Sequence, residues 1–183
     1  HAWSSEIIYF LNQQRSLLAL QKAEKMKKQA FADRYPYGIF SCIRTMGHIY
    51  KSRGNFDLSA QYYQEALDYM LKNMPDQDPS QLYSSLAEYY RNTQKDYATA
   101  LDYCEKALKS AKTERNIAQA MIEKCLVLFR QGRIDEFNDC YKEAVQMADR
   151  CKLSASVSLL IAHISKNILD KQYEQAHAHA DQL

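Results

Sequence analysis

The chain has 183 residues, 46% of them hydrophobic and 25% charged, which is enough to bury a continuous core in one ordered unit. Four Gly and three Pro are too few for an all-β protein with many tight turns. The formal net charge is +2, with Lys and Arg scattered among Asp and Glu, so there is no electrostatic footprint for nucleic acid.

In chain order, Ser4 or Ser5 is expected to cap a first helical stretch. No Gly or Pro occurs from Glu6 to Ala32, and Ile7, Ile8 and Leu11, then Leu17, Leu18, Ala23 and Met26, are spaced for helix. An interruption over Asn12 to Ser16 would make this stretch two helices rather than one. The basic run from Lys22 to Lys28, broken by Glu24, reads as a solvated helix face. Tyr35-Pro36 ends the segment, because the residue before proline avoids the helical region. Helices are then expected from about Tyr37 to Arg53 and from Phe56 or Asp57 to about Lys72. After the proline-containing connection 73–78, Asp78 as N-cap and Pro79 at the first helical position start another helix. Further helices run from about Asp96 to Lys112, from Thr113 as a cap onward, from Arg133 to about Arg150, from about Leu153 to Leu169, and from Lys171. The approximate units are 5–35, 37–74, 79–112, 114–151 and 153–183, forming a single domain.

These units repeat. Phe56, Tyr97, Ile134 and Tyr173 open every second helix at intervals of 41, 37 and 39 residues. Three residues on stand Ser59, Ala100, Phe137 and Ala176; seven on, Tyr63, Cys104, Tyr141 and Ala180; ten on, Ala66, Ala107, Ala144 and Leu183. Offsets of 0, 3, 7 and 10 trace one helix face. The preceding helix carries its own stripe: Ile43, Met46, Gly47 and Tyr50; then Tyr83, Leu86, Ala87 and Tyr90; then Ile122, Cys125, Leu126 and Phe129. Gly54 and Gly132 close the first and third of these helices, and a short turn over Asn92 to Lys95 replaces the glycine in the second. Gly47 or Ala87 lets the partner helix approach, and Ala66, Ala107 and Ala144 receive it.

Met46-Gly47-x-x-Tyr50, Gly54-x-Phe56, Tyr63 and Ala66 resemble the tetratricopeptide repeat (TPR), whose first helix (A) carries a small residue and an aromatic and whose second (B) carries alanines. The second unit matches well, and the third and fourth match mainly in helix B. The pattern departs in lacking the helix A Trp, in Ser59 where alanine is usual, and in a period longer than the usual thirty-four. The resemblance implies an all-α fold, a right-handed α-solenoid of about four antiparallel helix pairs. It also implies a concave groove lined by the helix A face opposite the packing stripe. That face holds Arg44, His48 and Lys51, followed by Gln81, Ser84, Glu88 and Arg91, with Glu123 and Arg130 beyond. A peptide groove and a plain solvated face both account for this mixed-charge set. Some TPR domains clamp acidic carboxy-terminal tails of chaperones with Lys and Asn at fixed positions; Arg44 and His48, without those asparagines, depart from that pattern.

No HExxH, GxSxG, Walker loop or GxGxxG is present, so no catalytic residue, cofactor or metal is expected. His177 and His179 point to different sides of a helix. His163 lies in the apolar run from Leu159 to Ile164, as a core or interface histidine would. Cys42, Cys104, Cys125, Cys140 and Cys151 all fall in expected helices without CxxC or metal spacing, and read as buried small hydrophobes. No run approaches the ~18 apolar residues of a membrane span, and no signal peptide is evident. The missing initial Met and the short last helix suggest a piece of a longer protein. The stretch from Gly47 to Phe56, the Tyr-rich B helices and the period near forty are similar to TPR sensor regions of gut-bacterial two-component sensor histidine kinases. That resemblance implies a protein or peptide partner, an extracytoplasmic position upstream of a membrane span, and no membrane contact by this stretch itself. The alternative is a soluble cytoplasmic TPR adaptor or a regulator that binds a secreted peptide, which free thiols suit. Oligomeric state is not legible.

Overall fold

The computed structural model describes residues 9–10, 15–153 and 156–182. Among them the regular structure is entirely helical: α1 (Ser16–Ala32), α2 (Pro36–Ser52), α3 (Phe56–Asn73), α4 (Ser80–Tyr89), α5 (Tyr97–Ser110), α6 (Glu114–Arg130), α7 (Ile134–Arg150), α8 (Val157–Leu169) and α9 (Tyr173–Ala180). A π-helical turn, Tyr90–Gln94, prolongs α4. The chain forms two compact units, divided between Leu82 and Tyr83.

Local chemistry sets the helix boundaries. Pro36 occupies the first turn of α2, where its missing N–H leaves no bond unmade. The Asp78 carboxylate accepts the Ser80 N–H at 2.9 Å ahead of α4. Asn55, Asp96 and Thr113 accept the N–H three residues on, capping α3, α5 and α6. Two residues before each helix B the backbone turns left-handed: Gly54 and Gly132 at φ 73°, Lys95 at 55° and Lys171 at 60°. Glycine accepts that conformation without a Cβ penalty, whereas lysine does not.

In the first unit, α1 packs on α2 and α2 on α3. Ala19 and Ala23 meet Met46 and Ile49, with Leu20, Met26 and Tyr62 against the cluster. Gly47 is a close-approach position, because a Cβ there would sit 2.7 Å from the Tyr63 ring. In the second unit α5 packs on α6, α6 on α7 and α8, and α8 on α9. Its main core joins Ile122, Leu128, Phe137, Ala144, Ala148 and Leu159, and a smaller one joins Ala87, Ala100, Cys104 and Val127. Each fully buried large side chain here contributes about 1.5–3 kcal/mol.

Three expectations are corrected. The helix expected from Leu153 starts at Val157, because Lys152 turns left-handed at φ 55° and Leu153 drops into the core with its N–H on the Ala148 carbonyl. The last helix starts at Tyr173, where the repeat spacing puts it, and not at Lys171, which is the left-handed turn residue. Not all cysteines are buried helical residues: Cys140 and Cys151 are half-buried, and Cys151 ends α7. The cap expected at Ser4 or Ser5, and residues 12–14 of the expected interruption, lie outside the described residues; α1 begins at Ser16.

Candidate partner-binding surface

In the first unit the packing stripe of α2 faces inward, with Ile43, Met46 and Ile49 buried, which leaves Arg44, His48 and Lys51 on the other side. His48 is exposed, and its Nδ1 lies 2.9 Å from the Tyr63 hydroxyl while the two rings meet edge to face. Tyr63 is fully buried, so the histidine is anchored to helix B beneath it. Arg44 is half-buried and lays its guanidinium 5.4 Å from the Phe40 ring centroid, a cation–π geometry. Its Nε is out of solvent with no hydrogen-bond partner among the described residues. Lys51 is half-buried.

On α4, Gln81 is exposed and Ser84 and Glu88 are half-buried. Arg91 behaves differently from the surface residue expected. It is 5% exposed; its Nε donates to Glu123 Oε1 at 2.7 Å, a second nitrogen approaches Oε2 at 3.3 Å, and a third donates to Asn92 Oδ1 at 2.7 Å. Arg91 and Glu123 are thus committed to a buried ion pair, because the π-helical turn rotates Arg91 off the outer face and toward α6. Arg130 is exposed at the end of α6.

A feature that the repeat arithmetic passed over is the seventh residue of each helix B. Tyr62 stacks on Tyr50 of helix A, with centroids 5.3 Å apart and planes 6° apart, and Tyr103 stacks on Tyr90 at 5.4 Å and 18°. Burial first, then the neighbouring tyrosine, raises the Tyr62 hydroxyl above its ordinary pKa, and burial does the same for Tyr103. The third repeat has Cys140 at this position, against Cys125, and the fourth has His179, stacked on His163 with centroids 5.0 Å apart. The spacing was readable in the sequence; the side chains at it are too unlike to suggest one role.

His163 also takes a 2.6 Å bond between its Nδ1 and the Tyr141 hydroxyl, and burial, seconded by His179, holds its pKa below the usual imidazole value. Beside it α7 and α8 enclose a cleft of about 380 Å³, lined by Asn138, Tyr141, Lys142, Val145, Gln146 and Lys166. Asn138 Oδ1 is buried there with no bond among the described residues. Asn138, Tyr141 and Val145 share a face at helical spacing, the only signal the sequence held for this cleft. Among the described residues no three His, Cys, Asp or Glu side chains group to hold a metal ion, and no helix is long and apolar enough to cross a membrane.

Residues 39–113 match the family model described as Tetratricopeptide repeat. No curated protein matches the chain. Among solved structures, the fold is similar to the nearly identical TPR-like repeats of a Podosopora anserina protein assigned as a kinesin light chain. The TM-score is 0.66 at 12% identity, over 99% of this chain and 91% of that one. The same repeats carrying one glutamine-to-methionine change give 0.68 at 12% identity, with the same coverage. Residues 39–113 thus carry the match to the tetratricopeptide repeat, and the regular structure of the described residues is helical, with a fold similar to that of TPR-like solenoids.

Proposed function

We propose that the chain is a protein- or peptide-binding module serving as the sensing or regulatory region of a signalling protein such as a two-component sensor histidine kinase. The match of residues 39–113 to the tetratricopeptide repeat supports the binding role, since such repeats present surface rather than chemistry. The exposed His48, flanked by Arg44 and Lys51 and anchored by Tyr63, is the contact point in the first unit, to which Gln81 also belongs; Ser84 and Glu88 are candidate contacts of the second unit taken by itself. The signalling role rests on the resemblance of residues 47–56 to sensor regions. In that role the phosphoacceptor histidine and nucleotide site belong to another part of the parent, and the chain incubated with ATP gains no phosphohistidine.

The test is a peptide array probed with the protein and with the variant carrying Arg44→Ala and Lys51→Ala. Peptides captured by the parent and lost by the variant support the surface, provided both are folded. Both residues are half-buried and Arg44 packs on Phe40, so the double change should cost some stability without unfolding the chain, and a variant that unfolds refutes the assignment. Equal capture by both proteins does so as well.

A second reading, a cytoplasmic adaptor or peptide-responsive regulator, is favoured by one observation: all five cysteines are free thiols, as a reducing compartment keeps them.

A further inference from the structure

Cys125 lies on α6 and Cys140 on α7, fifteen residues apart across the hairpin that turns at Gly132. The Cys125 Sγ donates to the Cys140 Sγ at 2.7 Å, inside the distance that two non-bonded sulfurs ordinarily keep. The two thiols are unequal. Cys125 is fully buried in the main core of the second unit, whereas Cys140 is half-buried at its edge, its Sγ also 3.5 Å from the Met121 carbonyl. We propose that Cys125 and Cys140 form a dithiol–disulfide couple, a reversible covalent clamp between the two helices of the third repeat.

The asymmetry assigns the roles. Cys140 is the more accessible thiol, and the hydrogen bond from Cys125 stabilises its thiolate, with Lys124 adding positive charge nearby, against partial burial and the charges of Glu143 and Glu105. Cys125 keeps its proton, held by the bond to Cys140 and by burial. The oxidant is a low-molecular-weight disulfide. The Cys140 thiolate, its proton given up to water, attacks one of its sulfurs, forming a mixed disulfide and releasing one small thiolate, which takes that proton back from water. Cys125 then attacks the Cys140 sulfur, passing its proton to the second small thiolate as that leaves. Two protein thiols are oxidised and one small disulfide is reduced to two thiols, so atoms and electrons balance. The other three cysteines are placed differently: Cys104 is sealed inside the smaller core, where burial pushes its thiol far up, Cys42 belongs to the first unit, and Cys151 ends α7.

The test uses the whole chain, reduced and then incubated with oxidised glutathione, quenched by alkylation and weighed intact. The expected result is a loss of two hydrogens with no glutathione retained, three alkylated cysteines, and tryptic peptides 125–130 and 134–142 joined. The melting midpoint should rise on oxidation. Five alkylated cysteines, glutathione persisting on the parent protein, a link through another thiol, or an unchanged midpoint each overturns the proposal. Cys140→Ser, a change at a half-buried position, should abolish the two-hydrogen loss, and Cys125→Ala should leave a lasting glutathione adduct on Cys140. Circular dichroism establishes that each variant folds; if Cys125→Ala does not, Cys140→Ser decides.

Discussion

The second and third repeats are built on one plan and held together by different chemistry. In the second, the π-helical turn after α4 meets α5 through the Tyr90–Tyr103 stack and sends Arg91 inward to Glu123 of α6. In the third, α6 and α7 meet through apolar side chains, Phe129 on Phe137 at 5.5 Å, with two thiols where the tyrosine stack would be. The turns differ as well. The second uses a lysine in the left-handed region and an aspartate that caps the next helix, Oδ1 taking the Thr99 N–H and Oδ2 its hydroxyl. The third uses Gly132, free of strain, followed by Arg133, whose side chain pairs with Glu136 instead of capping. A repeat can thus relax its turn or its cap, provided the buried helix faces still interlock.

The largest test of this contrast is the ion pair. Arg91→Ala leaves Glu123 buried without its cation and should cost about 3–5 kcal/mol in a urea titration. Replacing both residues with apolar ones of similar volume should cost far less. If Arg91→Ala is harmless, the second repeat does not depend on the pair.

Next comes the apolar interlock that both repeats share. Ala107 is 0% exposed, and Ala107→Leu overpacks its helix pair at a cost of about 1–3 kcal/mol. Gly47→Ala in the first unit tests the same logic: the new methyl meets a Tyr63 ring that its bond to His48 holds in place, so the clash should outweigh the better helix propensity. A thermal melt that either substitution leaves unmoved contradicts the packing register.

The turns predict a smaller change of opposite sign. Lys95→Gly relieves a left-handed lysine and should gain about 0.5–1 kcal/mol, while the same substitution at exposed Lys112, outside any such turn, should gain nothing. Equal effects at the two sites would remove strain from the account.

The smallest expected effect is on pH dependence, and it extends the comparison to the fourth repeat. His163 faces Tyr141, His179 and the charge of Asp149, and its folded pKa lies below the unfolded value of about 6.5. The unfolded chain therefore binds a proton first as the pH falls. Stability is intact above about 6.5, declines as acid carries the solution down toward the folded value, and levels off beneath it. His163→Gln should flatten that part of the profile; an unchanged slope would rule out this histidine as its source.

Much of this is legible in the residues alone. The stripe from Ile43 to Tyr50, the alanines of helix B, Gly54, Gly132 and the Thr113 cap mark helices and turns by local stereochemistry, and local rules survive folding. Arg91 was misplaced because a charged residue off the packing stripe reads as solvated, and only a partner 32 residues away reverses that. Lys171 hides its turn, and the turn legible over Asn92 to Lys95 does not reveal its left-handed residue, since nothing in a lysine announces positive φ. The cleft beside Tyr141 needs α7 and α8 together, and no single helix announces it.

The π-helical turn explains an irregularity in the counting. From Tyr50 to Gly54 is four residues, and from Tyr90 to Lys95 is five, yet both tyrosines stack on the same position of the following helix. The wider loop of backbone hydrogen bonds stores the additional residue without passing a rotation down the chain. Repeat length can drift by one under this arrangement while the contacts that define a repeat stay in step, so insertions here leave spacing altered and recognition between helices intact.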